Sequence, residues 1–268
     1  ENIEKRFLDT GSPKRLTCIH ALGIGDRETR GMNRFAHKGM VRRVIGGHWV
    51  WSPKMQQLAG ENDIEAYVLP GGVIMQLMRE VAANRPGLIT HVGLGTFVDP
   101  QQDGGRMNEA AVDPLVERIT IDGKDYLRYL PIPIDVAILK GSCADEEGNI
   151  SLDEEPANLD IYAMAAAAHN SGGKVIFQVR KKVAAGSIPA RSVRIPSAIV
   201  DAVVVDPEQR QSYELIYDPS ISGERRNETL KPGFPEFSLR LVIARRAYEE
   251  LKEGTVINFG FGIPDQVA

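Results

Sequence analysis

The sequence predicts an α/β fold: an open, mostly parallel sheet flanked by helices, with a β-hairpin insertion. Three observations carry this. Short apolar or β-branched runs alternate with amphipathic helical segments along the first 205 residues. Three of those runs, "CIHALGIG", "LITHVGLG" and "VINFGFG", pass directly into Gly-x-Gly, and α/β sheets gather ligands at such carboxyl-end turns. One segment, "ERITIDGKDYLRYL", alternates about Asp122-Gly123, which marks a hairpin.

Each element has its own signal. The chain opens in a charged amphipathic stretch (Ile3, Glu4, Lys5, Phe7, Leu8) resembling the later turns of a helix. Residues 16–21 read as a strand entering "LGIGDRETRG". Ser52-Pro53 opens a short helix to residue 58. Residues 64–69 form a strand, and 72–84 a helix with Ile74, Leu77, Met78 and Val81 on one face. "LITHVGLGTFVDP" places a strand, with His91 inside it, before Gly93-Leu94-Gly95. Residues 135–140 form a buried strand, "DEEGNIS" a turn, and 160–170 an alanine-rich helix stopped by Gly172-Gly173. The chain returns as a strand at 175–179. Pro, Gly, Tyr and charge without periodicity make 206–235 a long loop. A helix over 238–253 delivers the chain to a strand at 256–259, before Gly260, Gly262 and Pro264. This divides the chain into a first domain (1–205), a linker (206–236) and the start of a second domain (237–268).

Composition narrows the function classes. The chain has 268 residues, a formal net charge of −4 and 43% hydrophobic residues, enough for a sizeable core. No basic stripe points to nucleic acid or an anionic membrane surface, and Arg42-Arg43 and Arg180-Lys181-Lys182 read as solvated surface. No run approaches a membrane span. Cys18 and Cys143 sit far apart without metal-ligand spacing, so no metal site is expected and a reduced, cytoplasmic protein is the simplest account. None of the three Gly-x-Gly turns completes a dinucleotide fingerprint, because Glu28, Val98 and Asp265 stand at the third position. His48, Trp49 and Trp51 beside Gly46-Gly47 read as a packed loop, Asp99 as the start of the turn at Pro100, and His20 and His37 as lacking a carboxylate or Cys partner at useful spacing.

Five longer blocks, in order, carry a resemblance: "GGHWVWSPKMQQLA", "YVLPGGVIMQLMREVA", "GLGTFVDPQQDGGRMN", "DEEGNISLDEE" and "SVRIPSAIVDAVVVDP". Together they resemble the first, alpha-like half of a family I coenzyme A transferase of the acetate or propionate type. The resemblance implies two similar α/β halves, each beginning with a Gly-x-Gly-x-Pro turn; Gly260 to Pro264 matches the second half's turn. It implies CoA transfer between short-chain carboxylic acids through a glutamyl-CoA thioester. CoA and acyl-CoA are then substrates, and no permanently bound cofactor is expected. It also implies that the nucleophilic glutamate lies beyond Ala268. No catalytic residue is therefore expected in this chain, which reads as an excised, inactive piece whose partners are the missing half of the polypeptide and a second copy in a homo-oligomer.

Oxyanion chemistry needs pre-aimed N–H donors. The candidates are Gly71, Gly72, Gln76, Gly93, Gly95 and Thr96, with Gly260 and Gly262 as a CoA or anion turn. Family members commonly carry Pro-Gln-Gly where this chain has Pro70-Gly71-Gly72. That glutamine contacts the acyl or CoA carbonyl in the family, so either a glycine N–H or Gln76 takes over here, or Gly71 merely tightens the turn. The rival reading is a sugar-phosphate-binding α/β domain of isomerase or regulator type, using its glycine turns to hold phosphate.

Overall fold

Residues 1–212, 214–226, 236–260 and 267 are described in a computed structural model. Backbone contacts divide the chain into two units, Glu1–Glu224 and Arg225–Ala268.

The first unit has the predicted α/β class, with its strands shared among three sheets. After helix α1 (Asn2–Thr10), ended by left-handed Gly11, strands β1 (Leu16–His20), β2 (Val41–Gly46) and β3 (Glu65–Val68) form a fully parallel sheet in the order β1-β2-β3. Its central strand went unread in the sequence because Arg42 and Arg43 interrupt the apolar pattern. Both reach carboxylates instead of bulk solvent: Arg42 Nε lies 2.7 Å from Glu65, and Arg43 pairs with Glu65 and Asp113.

A parallel sheet is stable only when both faces are covered, and this one is. One face packs against α2 (Pro53–Gly60) and a 3₁₀ turn at Met32–Phe35, burying Val41, Val44, Met55 and Ala66. The other packs under α3 (Gly71–Ala82), burying Ile45, Tyr67, Leu69, Ile74 and Leu77. That second core is closed by an antiparallel sheet of β4 (Leu88–Thr90), β5 (Val116–Ile121) and β6 (Lys124–Tyr129), ordered β4-β6-β5. Strands β5 and β6 are the predicted hairpin, and Asp122 (φ 49°) with Gly123 (φ 74°) supply the two left-handed residues its two-residue turn requires.

The remaining sheet is mixed, in the order β10-β8-β7-β9-β11: β7 (Val136–Asp145), β8 (Ile150–Ser151), β9 (Lys174–Val183), β10 (Val193–Ile195) and β11 (Ala202–Val205). β7, β9 and β11 run parallel, while β8 and β10 are antiparallel additions. Helix α4 (Ile161–Asn170) covers one face, its alanines lying close over Val175, Phe177 and Val179. Beyond β11, among the described residues as far as Glu224, no helix or strand forms, yet the segment is anchored. Gln209 donates to Gly141 O at 2.8 Å, Gln211 to Glu154 O at 2.7 Å, and Lys140 Nζ to the carbonyls of Arg210 and Gln211.

In the second unit, α5 (Leu239–Tyr248) starts at Ser238, whose hydroxyl accepts Leu241 N–H at 3.2 Å. The strand predicted at 256–259 does not form: these residues have no ladder partner among the described residues, and Val256 is fully exposed. Gly260 is exposed, and Gly262 lies outside the described residues. Among the described residues no helix is long and apolar enough to cross a membrane.

Candidate functional site

The carboxyl ends of β1, β2 and β3 bring three backbone segments almost into contact. Gly47 N–H donates to His20 O at 3.0 Å and Leu69 N–H to Gly46 O at 3.3 Å, extending the ladder just past the strands. A Cβ on Gly47 would lie 2.9 Å from Gly71 Cα and collide with the Ala21 carbonyl, and one on Gly71 would lie 2.9 Å from Ala21 O. Only hydrogens fit between Ala21, Gly47 and Gly71, so here glycine is dictated by packing.

From this junction α3 starts without a cap. Pro70 is the N-cap residue and offers no side-chain acceptor, while Val73 and Ile74 N–H both use Pro70 O. The N–H groups of Gly71 and Gly72 have no acceptor among the described residues. Two open donors at the positive end of a 12-residue helix suit an anion or a developing oxyanion. Gly72 is exposed, has no positive φ, and a Cβ there would meet nothing within 4 Å. Packing therefore does not require glycine at 72. Gln76, one turn on, is also exposed.

The second glycine turn sits in a loop tied to the end of β3: Val68 N–H donates to Gly105 O at 2.8 Å, and Gly105 N–H to Phe97 O at 3.0 Å. Its centre is Asp99, buried, whose carboxylate accepts Gly95 N–H at 2.8 Å, Gln101 N–H at 3.0 Å and the Arg118 guanidinium at 3.0 Å. Those hydrogen bonds, Gly95's first, hold the Asp99 carboxyl below the usual carboxylate range. Asp99 thus orients the whole loop and does more than begin the turn at Pro100. The residues nominated nearby are engaged inside it: Gly95 N–H is bound to Asp99, and both the Thr96 N–H and hydroxyl donate to Gly93 O. Tyr129 underlies Gly93, donating its hydroxyl to Val92 O at 2.9 Å, and burial pushes its phenol up to about 12. His91 follows β4 and is not part of the strand.

The loops after β1 and β2 are laced together. Ser52 Oγ donates to Ile24 O at 3.0 Å, Asn33 Nδ2 and Arg27 N–H donate to Trp51 O at 3.1 Å, and Trp51 lies over Gly23 with the Arg27 guanidinium 4.5 Å from its ring. His20 is buried with Nδ1 2.8 Å from Leu22 O; burial first, with His48 nearby, lowers its pKa. His37, unpartnered in the sequence reading, meets a carboxylate from far along the chain, Glu4 Oε1 at 3.1 Å. Cys18 packs, partly buried, against the α2-side core, and burial pushes its thiol up to about 11, which disfavours the thiolate. No group of three or more metal-ligating side chains exists among the described residues.

Parallel strands ending in crowded glycines, beside an uncapped helix and a braced glycine loop, define an α/β protein with open backbone donors at the carboxyl ends of its first sheet. The chain belongs to the coenzyme A transferase family, whose pattern matches residues 5–206. It is 40% identical over 267 residues to the acetate CoA-transferase YdiF of Escherichia coli (strain K12), covering 99% of this chain and 50% of that protein. It is also 40% identical over 269 residues to the caffeate CoA-transferase of Acetobacterium woodii, covering 99% and 51%. Among solved structures, the acyl-CoA transferase YdiF of E. coli O157:H7 in a thioester complex with CoA superposes with a TM-score of 0.92. It has 39% identity, covering 99% of this chain and 53% of that one. The chain spans about half the length of the curated relatives it matches. None of these likenesses favours the sugar-phosphate reading.

Proposed function

We propose that this chain supplies the first half of an acyl-CoA:carboxylate CoA-transferase acting on short-chain acids, with residues 237–268 opening a second, beta-like half. The observation that carries the reading is the open start of α3, where Gly72 is a glycine the fold does not need and where two N–H groups have no acceptor. In the reaction, a glutamate carboxylate from the second half attacks the acyl-CoA carbonyl, and the CoA thiolate leaves to give a mixed anhydride. The thiolate then attacks the glutamyl carbonyl, releasing the first acid and leaving CoA on the enzyme as a thioester. The acceptor acid reverses these steps. Each addition puts negative charge on oxygen, and removal of one aimed donor in such sites typically costs roughly 10²–10³ in rate. Gly71 and Gly72 N–H are the first donors in this reading, Gln76 the side chain in reach of the same helix face, and Gly93, Gly95 and Thr96 the loop beside them. Gly260 and Gly262 are assigned to the start of the second half by their sequence pattern alone.

The test is exchange between labelled acetate and acetyl-CoA, run on this chain, on the polypeptide continued through the following half, and on that longer form with its candidate glutamate changed to alanine. Turnover is expected from the intact longer form alone. Equal turnover from residues 1–268 would place the nucleophile in this chain and end the assignment.

A further inference from the structure

Three guanidinium groups lie over aromatic rings among the described residues, and they differ in what else they hold. Arg43 over Tyr67 also pairs with Glu65 and Asp113, and Arg180 over Tyr217 also pairs with Glu154. Arg27, 4.5 Å from the centre of the Trp51 ring, pairs with no carboxylate among the described residues. The neighbouring carboxylate is engaged elsewhere. Asp26 Oδ1 accepts Glu28 N–H at 2.9 Å, Thr29 N–H at 2.8 Å and Arg30 N–H at 2.9 Å, and its Oδ2 faces Arg30 Nε at 3.9 Å.

Arg27 is nevertheless fixed in place. Its backbone is left-handed (φ 69°), a conformation that a residue other than glycine keeps only when its surroundings impose it. Here they are the Trp51 carbonyl, which accepts Arg27 N–H at 3.1 Å, and the indole against its guanidinium. Trp51 in turn needs glycine at 23, where a Cβ would collide with its Cδ1 and with His48 Nδ1. The indole and the exposed imidazole of His48 therefore meet over Gly23, and Arg27 lies on the same indole.

A guanidinium held over a ring keeps a rigid fork of donors for an anion, and that fork matches a carboxylate or a phosphate. A carboxylate has two oxygens, which the fork alone fills. A phosphate has more, so the imidazole of His48 can donate beside the fork. The patch also belongs to the loops after β1 and β2, which crowd together with the start of α3 at Ala21, Gly47 and Gly71. Trp51 is four residues on from Gly47, so the chain allows at most about 14 Å between them. Open donors at α3 and an unpaired cation this near suit a ligand with a carbonyl at one end and phosphate further along. We propose that Arg27, with His48 beside it, is a phosphate-binding site that takes the phosphate-bearing end of the CoA substrate. The choice of CoA rests on the CoA-transfer reading; the phosphate site itself does not.

The test is an NMR titration of the ¹⁵N-labelled chain with inorganic pyrophosphate, with CoA, and with pantetheine, the thiol arm of CoA without its phosphates. In the unsubstituted chain the Arg27 Nε–H and Trp51 indole signals are expected to shift with pyrophosphate and with CoA, and to stay in place with pantetheine. Arg27→Asn removes the guanidinium with a residue that tolerates the left-handed backbone. It should weaken both phosphate ligands by at least about tenfold, the loss of a charge-assisted hydrogen bond, and leave pantetheine unaffected. Pyrophosphate that moves neither signal, or that binds Arg27→Asn as tightly as the unmodified chain, overturns the site. Pyrophosphate binding that depends on Arg27, without any response to CoA, would keep the phosphate site and reject CoA as its occupant. CoA binding that ignores Arg27 would spare the CoA-transfer reading and overturn this proposal. The first readout needs no substitution, so a poorly folding variant does not remove the test.

Discussion

The sheet of β1, β2 and β3 and the mixed sheet containing β7, β9 and β11, both in the unit spanning Glu1–Glu224, use parallel strands in opposite ways. At the carboxyl ends of β1, β2 and β3 the backbone is pressed together through glycines, and the helix that follows leaves donors open. In the sheet of β7, β9 and β11, side chains close the backbone instead, Asp145 at the carboxyl end of β7 and Asp201 at the amino end of β9. Asp145 accepts Glu147 N–H at 3.0 Å, Asn149 N–H at 2.9 Å and Asn149 Nδ2 at 2.9 Å. Asp201 takes Val175 N–H at 2.9 Å and Lys174 Nζ at 2.7 Å, and Gln209 takes the Gly141 carbonyl. Both carboxyls are held below the ordinary aspartate range, Asp145 first by Asn149 and Asp201 first by Lys174. Buried backbone groups must be satisfied by something. Where the chain provides the partner the sheet closes on itself, and where it leaves partially exposed donors open an external partner can take them.

The contrast breaks most severely at Gly47. Valine there would drive its side chain into the Ala21 carbonyl and the Gly71 backbone, and backbone cannot rotate away as a side chain can. Overpacking of this kind typically costs about 1–3 kcal/mol, and the upper end is expected because three chain segments would have to separate. Urea melts of Gly47→Val against the unmodified chain measure this. Unchanged stability would mean the junction is looser than drawn, and the crowded half of the comparison would fall.

Asp99 sharpens the comparison, because it is a scaffold-type closure placed inside the candidate site. Asp99→Asn turns one acceptor into a donor facing Gly95 N–H, Gln101 N–H or Arg118, at a cost of about 2 kcal/mol if one buried group is left unpaired. The acid side follows from linkage. The folded-state pKa of Asp99 is lowered from its ordinary value, so its contribution is complete above roughly pH 4, the unfolded value, and is lost as pH falls through the folded one. Asp145 and Asp201 titrate in the same direction, so the informative quantity is the difference in Tm between Asp99→Asn and the unmodified chain. That difference should be constant from pH 7 to about pH 5 and shrink on further acidification. A difference that does not narrow with acid would deny the carboxylate its role as the loop's hub.

Much of this architecture is legible locally. Periodicity gives α3, α4 and the hairpin within a few residues of their bounds, because each has an uninterrupted pattern and a glycine or proline at an end. Strand β2 is illegible for a tertiary reason: Arg42 and Arg43 are satisfied by Glu65 and Asp113, more than twenty residues away. Arg118, the charged partner of Asp99, and Glu4, the partner of His37, are likewise distant in sequence. The strand expected at 256–259 shows the converse, since β-branched composition favours a strand only when a ladder neighbour is present. The site residues were legible as glycines but not as kinds of glycine. Packing explains Gly47 and Gly71, Gly93 sits at positive φ over Tyr129, and Gly72 alone of these has neither reason.

That distinction sets the smallest structural effect and the most informative functional one. Gly72→Ala adds a methyl group to open space at a helical position with ordinary φ. Alanine is favoured over glycine in helices by up to about 1 kcal/mol, less near an end, so this chain should gain a few tenths of a kcal/mol and melt slightly higher. The same methyl group would stand beside the two uncapped N–H groups, where the proposed function has an acyl or CoA carbonyl approach closely. In the polypeptide continued through its second half, acetate exchange should fall by at least about tenfold, because a carbonyl displaced by about 1 Å loses its donors. Stability and activity therefore move in opposite directions, as expected for a glycine retained for a ligand and not for the fold. If Gly72→Ala raised stability and left exchange at the unmodified rate, the open end of α3 would not be where the substrate binds, and the loop braced by Asp99 would have to supply the oxyanion donors instead.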